Sequence, residues 1–129
     1  MSALELAVHQ AFEANGNNKE ANKAYIEFIK ANFIIPIRSD SAPDAPQVLF
    51  LQEDNHIFLP VFTDMAYLSE WASEISADIN ILRLTGVDLL KGIGDTVTLC
   101  LNIGTPGYKE FNPSEIARMR SITLKFFKD

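Results

Sequence analysis

Leu4, Ala7, Val8, Ala11 and Phe12 recur at helical spacing behind Ser2 and Glu5, which read as a capping box. This predicts a first helix over about residues 3–14. Asn15-Gly16-Asn17-Asn18 supplies a glycine stop and an asparagine start, after which Ala21, Ala24, Tyr25, Phe28 and Ile29 form one stripe. The chain therefore opens with an αα-hairpin. Phe33-Ile34-Ile35-Pro36-Ile37 is a β-branched run whose internal proline cannot donate to a ladder, so a short edge strand is expected there. Residues 38–46 hold prolines and aspartates without periodicity and read as a solvated, mobile loop.

Two apolar runs, 47–53 and 56–62, flank Asp54-Asn55, residue types that tolerate the positive φ of a two-residue hairpin. Pro60 within the second run is expected at a sheet edge or a bulge. Thr63 is a natural N-cap with Asp64 beside it, and Leu68, Trp71, Ala72 and Ile75 predict a helix over 64–76. Residues 78–84 alternate as a strand with at least one buried face, and Thr85-Gly86 starts a short helix carrying Val87, Leu89 and Leu90. A further β run covers 96–103. Residues 108–111 return as a short strand, and Asn112-Pro113-Ser114-Glu115 stacks an N-cap, a first-turn proline and a capping-box glutamate at a last helix start. Beyond that helix Ile122, Leu124 and Phe126 alternate with Thr123, Lys125 and Phe127, which predicts a strand-like tail over 121–129. These elements make one α+β domain over 1–129, with a mainly antiparallel or mixed sheet of about five strands and helices on one face.

The runs FLPVFTDMAYLSEW (58–71) and VTLCLNIGTPGYKEFNPSEI (97–116) resemble the N-terminal domain of the SseB, or enhanced serine sensitivity, family. The resemblance covers nearly the whole chain. In the family the later strand often ends Asn-Pro-Gly, whereas here Asn102 leads into Ile103-Gly104-Thr105-Pro106-Gly107. The resemblance implies a compact α+β domain of the bacterial cytoplasm with no established reaction, followed in many relatives by a second domain.

Composition narrows the choice of function. Hydrophobic residues make up 47% of the chain and charged residues 22%, a globular balance. A net charge of −6 with scattered basic residues argues against nucleic acid and anionic membranes. No apolar run is long enough to span a bilayer, and the first ten residues lack the basic region and cleavage site of a secretory signal. A single cysteine, Cys100, suits a reducing cytoplasm and sits in an apolar run where a buried, inert thiol is expected. His9 and His56 have no partner at metal-ligand spacing, so no metal is expected, and no pattern calls for another cofactor. Glycines 86, 92, 94, 104 and 107 lack the context of a phosphate loop and read as turn residues. No nucleophile–base arrangement is visible, so no catalytic residue is assigned. Phe12, Tyr25, Phe28, Phe50, Phe58, Phe62 and Trp71 are expected in the core.

The reading is a non-catalytic cytoplasmic domain that binds a protein partner or itself. Ile122, Leu124, Phe126 and Phe127 are its candidate contact residues, because a hydrophobic tail must be covered. A small-molecule sensor, for an amino acid, is the alternative, with its pocket between the third helix and the sheet near Thr63 and Asn102. An enzyme would need a site assembled from His56, Asp64 or Tyr108.

Overall fold

A computed structural model of the chain describes residues 3–13, 18–42 and 44–126. Its elements run α1 (Ala3–Glu13), α2 (Asn18–Lys30), β1 (Asn32–Arg38), β2 (Leu51–Glu53), β3 (His56–Val61), α3 (Met65–Trp71), β4 (Ile79–Thr85), α4 (Gly86–Gly92), β5 (Val97–Leu101), β6 (Lys109–Phe111) and α5 (Pro113–Phe126). The fold is α+β. Four strands form a mixed sheet in the order β2-β3-β5-β6, antiparallel except for the parallel β3–β5 pair, and β1 with β4 forms an antiparallel ribbon. The hairpin turn is as the residue types require: Asp54 and Asn55 take φ of 48° and 67°, and Glu53 pairs with His56. The start expected at Asn15–Asn17 and the Ser2 cap lie outside the described residues, as does the side chain of Phe12.

The ribbon and the sheet meet at one point. Ile34 N–H donates to Phe62 O at 2.8 Å and Phe62 N–H to Ile34 O at 2.9 Å. Continuing this pairing by two residues would set Pro36 opposite Pro60, and neither has an N–H to offer. The ladder stops after a single bridge. Segment 47–49 fills the gap instead: Leu49 N–H donates to Pro36 O (3.0 Å) and Arg38 N–H to Gln47 O (2.8 Å). Two expectations change as a result. β1 is not an edge, having β4 on one side and Phe62, Leu49 and Gln47 on the other. Pro60 lies in an interior strand, aligned with Cys100 of β5. It is tolerated because its nitrogen faces the side where β2 ends opposite Phe58 and β1 begins opposite Phe62.

β1 is buried on both faces, which explains its unbroken apolar run. Phe33 and Ile35 join Leu59, Val61, Leu99 and Leu101 in the main core under α1, α2, α4 and α5. Ile34 points the other way and packs with Phe62, Leu68 and Ala72 under α3, where the Phe62 and Trp71 rings meet at a tilt with centroids 5.5 Å apart. Phe28 lies within 5.0 Å of both the Phe33 and Phe111 rings, the nearer at 4.5 Å.

Other corrections have local causes. α3 stops at Trp71, short of residue 76, with Ala72 as its C-cap and a 3-10 turn over Ser76–Asp78. β4 has no fully buried residue, since only its β1 side is paired and its faces stay open. Phe50, expected in the core, is 48% exposed, because the chain there leaves β3 to reach Pro36. Residues 121–126 are the last turns of α5 and not a strand. Ile116, Met119 and Thr123 continue one helical stripe, and the Thr123 hydroxyl is satisfied by Met119 O at 2.9 Å, so a polar residue in the stripe masks its period. No glycine or proline follows Pro113 to end the helix.

Gly86 fixes how α4 meets α2. Its N–H donates to Ala31 O at 2.8 Å, and a Cβ there would fall 2.3 Å from Phe28 O and 2.6 Å from Ile29 O. Those atoms are backbone of a core helix and cannot retreat. Thr85 caps α4 by accepting from Asp88 N–H at 3.1 Å, and Arg120 of α5 clamps the other end through Leu90 O and Ile93 O. Gly86→Ala is therefore expected to lower stability by about 3 kcal/mol or more. Urea unfolding checks this, and a variant as stable as the wild type would refute the close approach.

Candidate functional site

The residue after the sheet junction organises a polar cluster. Thr63 N–H donates to Asn102 Oδ1 at 3.0 Å, and Asn102 Nδ2 returns a bond to Thr63 Oγ1 at 3.1 Å. Asn102 is 1% exposed and holds φ of 53°, a left-handed conformation that asparagine accepts more readily than most residues. Its backbone closes the node: its N–H donates to Val61 O, and its carbonyl accepts from Thr105 Oγ1 at 2.7 Å. The Thr63 hydroxyl reaches Glu5 Oε1 at 3.4 Å, and Tyr67 OH donates to Glu5 Oε2 at 3.2 Å. The Glu5 charge beside it raises the Tyr67 pKa above its usual value. Thr63 is thus occupied by the node, and Asp64 caps α3, accepting from Ala66 N–H at 2.8 Å. The cap falls one residue later than predicted, the Thr63 hydroxyl that would have made it being held by Asn102 and Glu5.

Two grooves of about 400 Å³ each meet over this node. One is lined by Phe33, Ile34, Arg83, Leu84 and Thr85, the other by Ala3, Leu4, Glu27, Lys30 and Ala31, and both share Asn32 and Thr63. The register explains the first: Asn32 pairs with Thr85 and Ile34 with Arg83, so the four side chains share one face of the ribbon. Arg83 has no ion-pair partner among the described residues, whereas Lys30 sits 3.6 Å from Glu27. These are not the pocket expected between α3 and the sheet: both grooves include Thr63, but neither is lined by Asn102 or by a residue of α3, and they open toward the ribbon and toward α1 and α2. Asn32 and Arg83 were not foreseen; only their register with each other reveals them.

The other candidates are dispersed. His56 opens β3 and Asp64 follows its far end, about 26 Å of extended chain away. Tyr108 donates to Glu110 and lies 3.6 Å from Cys100 Sγ. Burial raises the pKa of both the Tyr108 hydroxyl and the Cys100 thiol, so each is held neutral. His9 bonds Glu13 at the surface, and no three metal-ligating side chains converge among the described residues. No helix among them is long and apolar enough to cross a membrane. On α5, Ile122 is half-buried against the core while Leu124 is 73% exposed; the side chain of Phe126 and all of Phe127 lie outside the described residues.

Residues 4–118 match the SseB protein N-terminal domain. The chain belongs to the SseB family. No curated protein and no solved structure matches it. The matched segment contains the Thr63–Asn102 node and, Ala3 apart, the lining of both grooves, while the last two turns of α5 lie beyond it. Within the SseB domain the start of α5 is tied down by the expected capping box: Asn112 Oδ1 accepts from Glu115 N–H at 2.9 Å and Glu115 Oε1 from Asn112 N–H at 3.2 Å. Glu115 Oε2 also accepts from the Tyr25 hydroxyl at 2.9 Å and lies 3.2 Å from Lys109 Nζ.

Asn102→Ala removes both side-chain bonds, strands the Thr63 N–H and leaves a Cβ residue in a left-handed conformation. The expected loss is about 2–4 kcal/mol, with Asn102→Gly less costly because it relieves the backbone alone. Chemical denaturation of both variants checks the order, and an alanine variant within about 0.5 kcal/mol of wild type would refute the node.

Burial, reinforced by the Glu115 hydrogen bond and charge, pushes the Tyr25 pKa up to about 12 from 10.0. The folded state favours the neutral phenol. This contribution is complete below pH 10.0 and is lost as pH rises toward about 12, where the unfolded chain ionises first. Tyr25→Phe should flatten the alkaline fall in melting temperature without abolishing it, since Tyr108 is shifted the same way.

Proposed function

We propose that this SseB-family domain is a non-catalytic interaction module that works through a protein partner, or a second copy, in a bacterial cytoplasm. The observation that carries this reading is on the stretch of α5 beyond residue 118, where Leu124 stands in solvent and Ile122 only half buries itself. Large aliphatic side chains left in water at a helix end favour association once a partner covers them. The pairing of the buried Cys100 thiol with the half-buried Tyr108 hydroxyl, both held neutral, supports a structural role for both and fits a reducing compartment. A photo-crosslinking residue in place of Leu124 in the native cell is expected to give one discrete protein adduct, absent when the same residue replaces the exposed Asp88 on α4. Equal labelling at both positions, or none at Leu124, would sink the reading.

A second reading, an amino-acid sensor, draws on the cleft over Thr63. Glu27 and Lys30 in one groove and Arg83 in the other offer charges of both signs to a zwitterion around the polar Asn32 and Thr63. Calorimetric titration with a panel of amino acids separates the two: saturable heat that Arg83→Ala abolishes supports sensing, and silence across the panel rejects it.

A further inference from the structure

We propose that the groove between α2 and α5 is a docking site for an acidic amphipathic helix of a partner protein. The inference rests on the interaction reading above and names the chemistry of its partner. The groove, about 380 Å³, is lined by Asn22 and Ile26 of α2 and by Arg118, Ser121, Ile122 and Lys125 of α5. Its apolar part is Ile26, 40% exposed, and the half-buried Ile122. The lining residues are spaced three or four apart along each helix, 22 and 26 facing 118, 121, 122 and 125, so the trough follows about one turn of α2 and about two of α5. A third helix laid along it would place aliphatic side chains at i, i+3 or i+4 and i+7 against the isoleucines.

Charge selects the occupant. The chain carries 17 acidic and 11 basic residues, yet the groove is lined by two cations and no carboxylate. Arg118 donates to the Asn22 amide oxygen at 2.9 Å and, like Lys125, has no ion-pair partner among the described residues. Lys19 and Lys23 lie on the same outer flank of α2 by helical spacing. A second copy docked by two-fold symmetry on this face would set Arg118 and Lys125 against their own equivalents, which like-charge repulsion opposes. A separate chain with glutamates flanking an aliphatic stripe meets both the apolar floor and the cationic rims. Ser121, Ile122 and Lys125 lie outside the segment matched to the SseB domain, so this groove is built in part from residues that the family pattern does not include.

The probe is a synthetic 18-residue peptide with a leucine stripe at helical spacing flanked by glutamates, titrated into the full chain while amide NMR shifts are followed. Saturable shifts centred on Asn22, Ile26, Arg118, Ser121, Ile122 and Lys125 are expected. The combined charge reversal Arg118→Glu and Lys125→Glu should weaken binding about tenfold or more, and added salt should weaken binding to the unaltered chain. A peptide of the same composition without the stripe, and one with lysines for glutamates, should not bind. Shifts elsewhere, no saturable binding, or equal binding by either control would overturn the proposal, as would an unchanged affinity in the charge-reversed protein. Leu124 is outside the groove, so an adduct retained there when the peptide fails removes the acidic helix and leaves the interaction reading standing.

Discussion

The two hydrogen bonds exchanged by Ile34 and Phe62 are the joint on which the molecule turns. They are the point where ribbon and sheet share a ladder, and the prolines at 36 and 60 keep that ladder from growing past a single bridge. A longer ladder would close the space beside it. Because pairing ends there, the ribbon can diverge from β3, Leu49 can cross to Pro36, and the face carrying Asn32 and Arg83 stays open above Thr63. The cleft is therefore a consequence of two missing amide protons, and its floor is held by the residue that follows the joint.

Local signals that act within a few residues were readable from the chain. The Asp54-Asn55 turn, the Thr85 cap and the Asn112–Glu115 capping box each depend on neighbours in sequence, and each forms as the residue types require. What escaped depends on competition across the fold. Thr63 is as good an N-cap as Asp64 by composition, but its N–H and hydroxyl are claimed by Asn102, 39 residues away. The alternation of Ile122, Leu124 and Phe126 has the period of a strand, and only the packing of Met119 and Thr123 against the core decides for a helix. Of the candidate contact residues, Ile122 lies against the core and Leu124 in solvent, which an alternating strand would have placed on one face. Asn32 and Arg83 carry no local motif; they become neighbours through the β1–β4 register alone.

α2 connects the two surfaces. Its last turn, with Glu27 and Lys30, lines the cleft, while Asn22 and Ile26 in its middle line the groove against α5. A helix can serve two surfaces only if its axis is set independently of either, and three contacts do so here: the Phe28 ring among Phe33 and Phe111, the Tyr25 hydroxyl on Glu115, and the Gly86 backbone against the carbonyls of Phe28 and Ile29. The last has the least tolerance, since dispersion and ring contacts relax over tenths of an ångström whereas a Cβ at 2.3 Å from a carbonyl oxygen has nowhere to go. Glycine at 86 lets the start of α4 seat on the end of α2, and Arg120 then fastens the end of α4 to α5. The α2–α5 separation at the groove is thus set twice, directly by Tyr25 on Glu115 and Arg118 on Asn22, and through α4 by Gly86 and Arg120.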